Sequence, residues 1–297
     1  MTDHIPVLLA EVMAILQPRP GACYLDATVG LGGHAEAILQ ASEPSGTLVG
    51  IDRDAEVLAL AGQRLSRFGQ RVVLLQGRYE ELAGLVGSDR AFEGILFDLG
   101  ASSLQLGTAA RGFSFTREGP LDMRMDRSAG DTAADLVGRL PERELAGLIF
   151  RYGEERFSRR IARAIVEARH RAPIRTTAAL AEVVARAIPR VAWPRHIHPA
   201  TRTFQALRIA VNDELTGLGR ALETAVSLLR PSGRVAAIGF HSLEDRIVKQ
   251  TWRRLEADGR VRILTKRPVT PTETEAAANP RARSAKLRAV ERVPEAA

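Results

Sequence analysis

The chain has 297 residues, 45% of them hydrophobic, which is enough for a sizeable core and excludes disorder as the global state. Its single cysteine, Cys23, excludes an internal disulfide, a four-cysteine zinc site and a cysteine-pair redox motif, and makes the cytoplasm the expected compartment. No run of about 18 apolar residues occurs, and Asp3, His4 and Glu11 interrupt the N-terminal stretch, so neither a membrane span nor a signal peptide is expected.

The net charge of +7 is unevenly spread. Arg139 to Arg208 holds 15 Arg against 6 Glu and no Asp, a balance of +9 that leaves −2 for the rest of the chain. A second basic stretch, from Arg260 to the end, has 9 Lys or Arg against 4 Glu. A one-sided basic surface suits a polyanion such as nucleic acid, because each neutralised phosphate releases counterions. A solvated helix face with Glu/Arg pairs, as from Glu154 to Arg163, would give the same count.

In chain order, the first hundred residues alternate short apolar runs with helical patterns, as βαβ units do. Strands are expected at Cys23–Ala27, Thr47–Asp52, Val72–Gln76 and Gly94–Asp98, with helices at His34–Ala41 and Ala55–Phe68. The next clear strand, Arg234–Phe240, follows a turn at Pro231–Gly233. The 135 residues from Leu99 to Gly233 greatly exceed a βα crossover and predict an insertion. Helices are expected there at Glu142–Tyr152, Glu155–Arg171, Thr177–Ile188 and Thr203–Leu229, punctuated by prolines. The expected organisation is a sheet domain in two parts, 1–110 and 200–297, around a small basic all-helical domain at 111–199. A helix at Leu243–Glu256 and strands at Val261–Lys266 and Leu287–Arg292 close the sheet, with a mobile loop expected at Arg267–Ser284.

Chemistry concentrates at strand ends. Gly30, Gly32 and Gly33 sit between a strand and a helix, where glycine lets backbone approach a ligand; such a turn also occurs with no ligand. Asp52, 19 residues after Gly33, ends the next strand, where a carboxylate can accept both ribose hydroxyls of an adenosine. The glycines do not follow the dinucleotide or P-loop spacing, so phosphate cradling is poorly supported. S-adenosylmethionine, which carries no phosphate, fits better. Asp98 ends the fourth strand and Ser102 and Ser103 follow it, as acceptors beside a transferred methyl or, for Asp98 and Ser102, as caps of the next helix. Cys23 lies on the first strand, so methylation of ring carbon through a cysteine adduct is disfavoured and transfer to nitrogen or oxygen stays open. His196, His198 and His241 lack zinc-site spacing and no G-x-S-x-G elbow exists, so neither a metal site nor a hydrolase is expected.

Longer strings go beyond pattern. They include His4-Ile-Pro-Val-Leu-Leu, Gly32-Gly33-His34, Phe97-Asp-Leu-Gly-Ala-Ser-Ser, Arg111-Gly-Phe-Ser-Phe, Gly119-Pro-Leu-Asp-Met-Arg-Met-Asp126 and Tyr152-Gly-Glu-Glu-Arg156. His198-Pro-Ala-Thr-Arg-Thr-Phe-Gln-Ala-Leu-Arg208, Phe240-His-Ser-Leu-Glu-Asp-Arg246 and Asn279-Pro-Arg-Ala-Arg-Ser-Ala-Lys-Leu-Arg288 complete the set. Over nearly its whole length the chain resembles the bacterial small-subunit ribosomal RNA cytosine-N4 methyltransferases.

The resemblance implies an α/β class I (Rossmann-like) S-adenosylmethionine methyltransferase sheet with an inserted helical domain. It also implies methyl transfer to the exocyclic amine of one cytidine in the decoding region of small-subunit ribosomal RNA. Carried over by motif, cofactor contacts are Gly32, Gly33, His34, Asp52, Tyr79, Asp98 and Gln105. Leu104, Gly107 and Gly239 stand where the family usually has proline, aspartate and serine, which puts the shape of the loop after Asp98 in question. Asp98 is the catalytic candidate; Arg195, His196, His198, Arg202 and Arg208 are candidates for gripping RNA phosphates, or for satisfying helix ends. The expected partner is ribosomal RNA, within an assembled or assembling small subunit, with the oligomeric state open between monomer and homodimer. Rival readings are an amino methyltransferase acting on DNA or protein, and a non-catalytic ribosome-assembly or RNA-binding factor keeping the cofactor fold. The D/N/S-P-P-Y/F/W string of the DNA enzymes is missing, since Leu99 and Gly100 follow Asp98.

Overall fold

The computed structural model describes residues 5–87 and 90–294, so Asp3 and His4 fall outside it. Two compact units emerge, Met1–Gly100 with Leu215–Ala297, and Ala101–Glu214. The first begins with α1 (Leu9–Leu16), β1 (Cys23–Asp26), α2 (Gly33–Ala41), β2 (Thr47–Asp52), α3 (Ala55–Leu65), β3 (Val72–Gln76), α4 (Leu82–Val86) and β4 (Phe92–Asp98). The second holds α5 (Ser103–Gly107), α6 (Ala133–Arg139), α7 (Glu142–Gly153), α8 (Ser158–Arg171), α9 (Thr177–Ala187) and α10 (Thr201–Asn212). The first unit then resumes with α11 (Leu218–Ser227), β5 (Leu229–Gly239), α12 (Ser242–Ala257), β6 (Val261–Ile263), α13 (Glu273–Ala278) and β7 (Lys286–Arg292). None of the described helices is long and apolar enough to cross a membrane.

The seven strands run in the order β3-β2-β1-β4-β5-β7-β6, and β7 alone is antiparallel to its neighbours. This is a Rossmann-like α/β sheet, as the resemblance implies. Alternation along each strand builds two apolar layers: Leu25, Ile95, Phe97, Val235 and Ala237 face one, while Tyr24, Leu96, Ala236 and Ile238 face the other. Helices cover both layers, with Leu218, Leu222, Val248 and Trp252 on the first and Ile38, Leu39, Ala61 and Leu65 on the second. α3 illustrates the local logic. Asp54 Oδ1 caps it by accepting from Glu56 N at 3.1 Å, and Val57, Ala61 and Leu65, four residues apart, bury its inner face.

The helical unit packs around Leu145, Leu148, Ile149, Ile161, Ile165, Leu180, Val184, Phe204 and Leu207. Gly153, at the end of α7, lets the backbone of α10 close in, since a Cβ there would sit 2.5 Å from the Arg202 carbonyl oxygen.

Several expected boundaries moved. Both expected domain limits, 110/111 and 199/200, fall inside the second unit, which includes all of α10. The expected single helix Thr203–Leu229 is two, because Asp213 adopts a left-handed conformation (φ 50°), Glu214 turns back onto Arg208, and Gly217 (φ 85°) starts α11. The turn at Pro231–Gly233 is an irregularity within β5, whose register against β4 jumps from Phe92↔Leu229 to Gly94↔Arg234. The expected mobile loop Arg267–Ser284 is ordered as α13 and a 3-10 turn at Pro280–Ser284. Glu275 accepts from Leu8 N at 2.7 Å, Asn279 donates to the Ile5 carbonyl at 3.1 Å, and Ala282 is buried.

Candidate active site

The strand order reverses between β1 and β4, and in an open α/β sheet ligands lodge outside the carboxyl ends at such a switch point. Asp26, Asp52 and Asp98, the last residues of β1, β2 and β4, are gathered at that edge. Between β1 and α2 the glycine turn is fixed by backbone bonds from Val29 N to Ile51 O and from Gly32 N to Val29 O, both 2.8 Å. Gly32 has φ 80° and lies against Leu65, where a Cβ would approach to 3.3 Å, so the turn needs glycine for conformation and for packing. Asp52 receives Gly30 N at 3.0 Å on Oδ2 and Asp54 N at 2.9 Å on Oδ1, which ties the turn to β2 and leaves each oxygen a second lone pair for a ribose hydroxyl.

Burial dominates the electrostatics of this edge. It pushes Asp26 up to about 8, Asp52 to about 6 and Asp98 to about 7. Backbone N–H bonds from Thr28 to Asp26, and from Asp54 and Gly30 to Asp52, work in the opposite direction. For Asp98 the opposing influence is the positive charge of Arg281, and Glu244 adds to the rise. The Asp98 side chain keeps 23% of its surface exposed, so one of its sides faces solvent. Its backbone N donates to Thr28 Oγ1 at 2.6 Å, holding the end of β4 against the turn after β1.

Asp98 Oδ1 is buried with no hydrogen-bond partner among the described residues. A bare buried acceptor costs free energy, and a ligand that donates to it restores the loss. Asp98 does not cap α5; Ser102 does, its Oγ accepting from Gln105 N at 3.3 Å while Gln105 Oε1 accepts from Ser102 N at 2.8 Å. Gln105 is thus a buried capping residue of the helical unit. His34, in the first turn of α2, is buried, with Nε2 3.0 Å from the Val7 carbonyl oxygen and Nδ1 3.5 Å from Asp98 Oδ2. Tyr79 follows β3 and sets its ring edge-on against Phe97, centroids 6.2 Å apart, immediately behind Asp98. Of the sequence-chosen cofactor residues, then, Gly32, Gly33, His34, Asp52, Tyr79 and Asp98 all belong to the sheet unit at or beside its carboxyl edge, and Gln105 belongs to the other unit.

The five RNA candidates lie in the helical unit. Arg195, His196 and Arg202 are exposed, and Arg202 also donates to the Glu154 carbonyl at 3.4 Å. His198 accepts from Ala200 N at 3.2 Å through Nδ1 and packs on Phe115, centroids 4.7 Å apart. Arg208 is committed elsewhere: it grips Glu214 with two bonds of 2.9 and 2.7 Å. Beside the candidates stand Val191, almost fully exposed, Trp193 and Ile197, which sequence reading passed over because isolated apolar residues in a proline-rich loop carry no periodicity. The pairing of His34 with Asp98 was equally invisible, since it joins residues 64 positions apart.

A model of the MraW methylase family matches residues 1–293. The chain is 53% identical to the ribosomal RNA small subunit methyltransferase H of Pelobacter propionicus, covering 98% of this chain and 99% of that protein. The proteins of the same name from Geobacter sulfurreducens and Syntrophobacter fumaroxidans are 52% and 49% identical, covering 99% and 96% of their own lengths. With a glycine turn whose spacing does not fit phosphate, the Asp52 carboxylate beside it and the unpartnered Asp98 oxygen, the edge suits S-adenosylmethionine. The chain belongs to the MraW methylase family.

Proposed function

We propose that the protein methylates the exocyclic N4 amine of a cytidine in the decoding region of small-subunit ribosomal RNA, with Asp98 at the reacting centre. The observation that carries this reading is the Asp98 carboxylate at the switch point of the sheet, partly open to solvent while its buried Oδ1 has no hydrogen-bond partner among the described residues. The relatives named for small-subunit ribosomal RNA support the substrate class. Cys23, the sole cysteine, lies on β1 and supplies no nucleophile for a ring-carbon adduct at the edge, which argues against carbon as the target; the choice of nitrogen over oxygen rests on the sequence resemblance.

S-adenosylmethionine supplies an electrophilic methyl on a positively charged sulfur. Cytosine's amine is a weak nucleophile because its lone pair is delocalised, so alignment carries much of the work, worth about 7 to 11 kcal/mol in well-oriented reactions. Gly32 and Gly33 would let the backbone approach the cofactor, Asp52 would accept its ribose hydroxyls, and Tyr79 would be a further contact. Asp98 accepts an N–H of the amine, which orients its lone pair and favours the developing tetrahedral nitrogen. The target base is unstacked, and Arg195, His196, His198 and Arg202 hold flanking phosphates. The reaction belongs to the cytoplasm, on an assembled or assembling subunit.

The direct test incubates the protein with methyl-labelled S-adenosylmethionine and, separately, undermethylated small subunits, naked ribosomal RNA and duplex DNA, followed by mass spectrometry of nucleosides. N4-methylcytidine in a ribosomal sample is the expected product. Cofactor binding with no methylated nucleoside in any sample would replace this reading with that of a binding factor.

A further inference from the structure

His34 can be assigned a tautomer from its surroundings. A carbonyl oxygen only accepts, so Nε2, 3.0 Å from Val7 O, carries the hydrogen. Burial opposes protonation of the ring and lowers it to about 4, and its place in the first turn of α2, at the positive end of that helix, acts in the same sense. A neutral ring with hydrogen on Nε2 has a bare lone pair on Nδ1, and that lone pair faces Asp98 Oδ2 at 3.5 Å. Two acceptors facing each other repel unless a proton lies between them. The other charged groups acting on Asp98 are Arg281, which favours its ionised form, and Glu244, which opposes it, with Asp26 adding to the negative field.

We propose that Asp98 receives the proton released from the target amine and that His34 is its positioning residue, the bare Nδ1 accepting a hydrogen bond from the newly formed carboxyl. Resting on the functional reading above, the inference supplies the proton's destination. The balance closes: the amine lone pair forms the N–C bond, the C–S bond breaks with its pair going to sulfur, and one N–H bond leaves its pair on nitrogen and its proton on Asp98 Oδ2, the oxygen that faces Nδ1. Transfer removes a positive charge from the site, which raises the proton affinity of the carboxylate at the moment a proton is available. Hydrogen bonds of this kind are long in the free protein and tighten in the reacting complex. Water takes the proton after product leaves, which restores the pair.

His34→Gln keeps a donor for Val7 O and removes the acceptor at Nδ1, whereas His34→Asn places an amide oxygen near the Nδ1 position. In His34→Gln, kcat should fall on the order of 10- to 100-fold, cofactor KM should stay within about 2-fold, and the acid limb of the kcat profile should move to lower pH by about one unit. His34→Asn should recover most of both. Without cofactor, nitrogen NMR should show hydrogen on Nε2 and an Nδ1 signal that follows the titration of Asp98 near pH 7 and becomes pH-independent in Asp98→Asn. Hydrogen on Nδ1, an Nδ1 signal indifferent to Asp98, or an unmoved acid limb in an active His34→Gln each overturns the pairing. Absence of methylated product from the unsubstituted protein overturns instead the functional reading on which it rests.

Discussion

At the sheet edge, Asp26, Asp52 and Asp98 are held at raised proton affinity, facing one another and few cations. In the helical unit two buried carboxylates meet guanidinium groups: Asp122 takes Arg124 through bonds of 2.8 and 3.1 Å and Glu214 takes Arg208, while buried Arg111 donates to the carbonyls of Arg124 and Met125. Matched ions stabilise a particular packing, and an unmatched carboxylate is tolerated where a ligand completes it. The same residue type thus reads as structural beside a guanidinium and as chemical at the sheet edge, according to what stands beside it.

Exchanging the roles tests that contrast most severely. Asp98→Asn should lower methyl transfer by about 10²- to 10⁴-fold, the range for loss of a general base, while thermal melting at pH 8 holds or improves; a rate near normal would place the chemistry elsewhere. In the helical unit Asn212→Ala removes bonds to Met125 N, Met123 O and Arg208 O. It should cost about 2 to 4 kcal/mol, since each buried group left bare costs about 1 to 3. Hydrogen exchange should then accelerate around residues 121–126 and in α10, with β1 to β4 little changed.

Stability should also depend on pH with opposite sign for the two kinds of acid. Asp26, Asp52 and Asp98 have folded values above their unfolded ones, so their contribution is full below about pH 4 and is lost as pH rises through about 6 to 8. For Asp122 and Asp245 burial acts upward but is outweighed by Arg124 and by Arg288 with Lys286, so their contribution is present above the unfolded value and lost on acidification. The free protein should therefore be most stable on the acid side of neutrality, and Asp26→Asn should flatten the decline toward pH 8. A melting curve of Asp26→Asn that still declines as the parent does would remove Asp26 from this account.

The smallest expected effect separates binding from packing among the arginines. Replacing Arg195 and Arg202 by Gln should leave stability within about 0.5 kcal/mol and reduce the salt slope of RNA binding by about one for each phosphate no longer neutralised. Arg208→Gln should do the reverse, destabilising by taking the guanidinium away from buried Glu214 and leaving the slope alone.

Strands β1 to β4 were readable because short apolar runs ending in a polar residue carry their own boundaries, and the place of Asp52 at the end of β2 was readable from its distance along a βαβ unit. The insertion was readable from length alone. The break after Asn212 was not, because a left-handed Asp213 and a carboxylate folding back on Arg208 leave the helical period undisturbed. Composition misled at 267–284: a stretch rich in Ala, Thr, Arg and Pro resembles a linker, yet Ala282 and Ala285 are buried and Glu275 and Asn279 anchor it to the first residues described. Gln105 carried a cofactor role by motif, and its visible work is to cap α5.

The position of β7 bears on how the polypeptide matures. It occupies the slot between β5 and β6, although both precede it in the chain, and it pairs with β5 from Arg234↔Glu291 to Gly239↔Lys286. Until those residues are available, β5 and β6 face each other across a gap of about 10 Å, two strand spacings, with unpaired backbone on both sides. Nascent chains stalled before Lys286 should therefore remain protease-sensitive at β5 and prone to recruit foreign strands, and assembly of this half of the sheet should be a late, slow event, since it joins segments far apart in sequence.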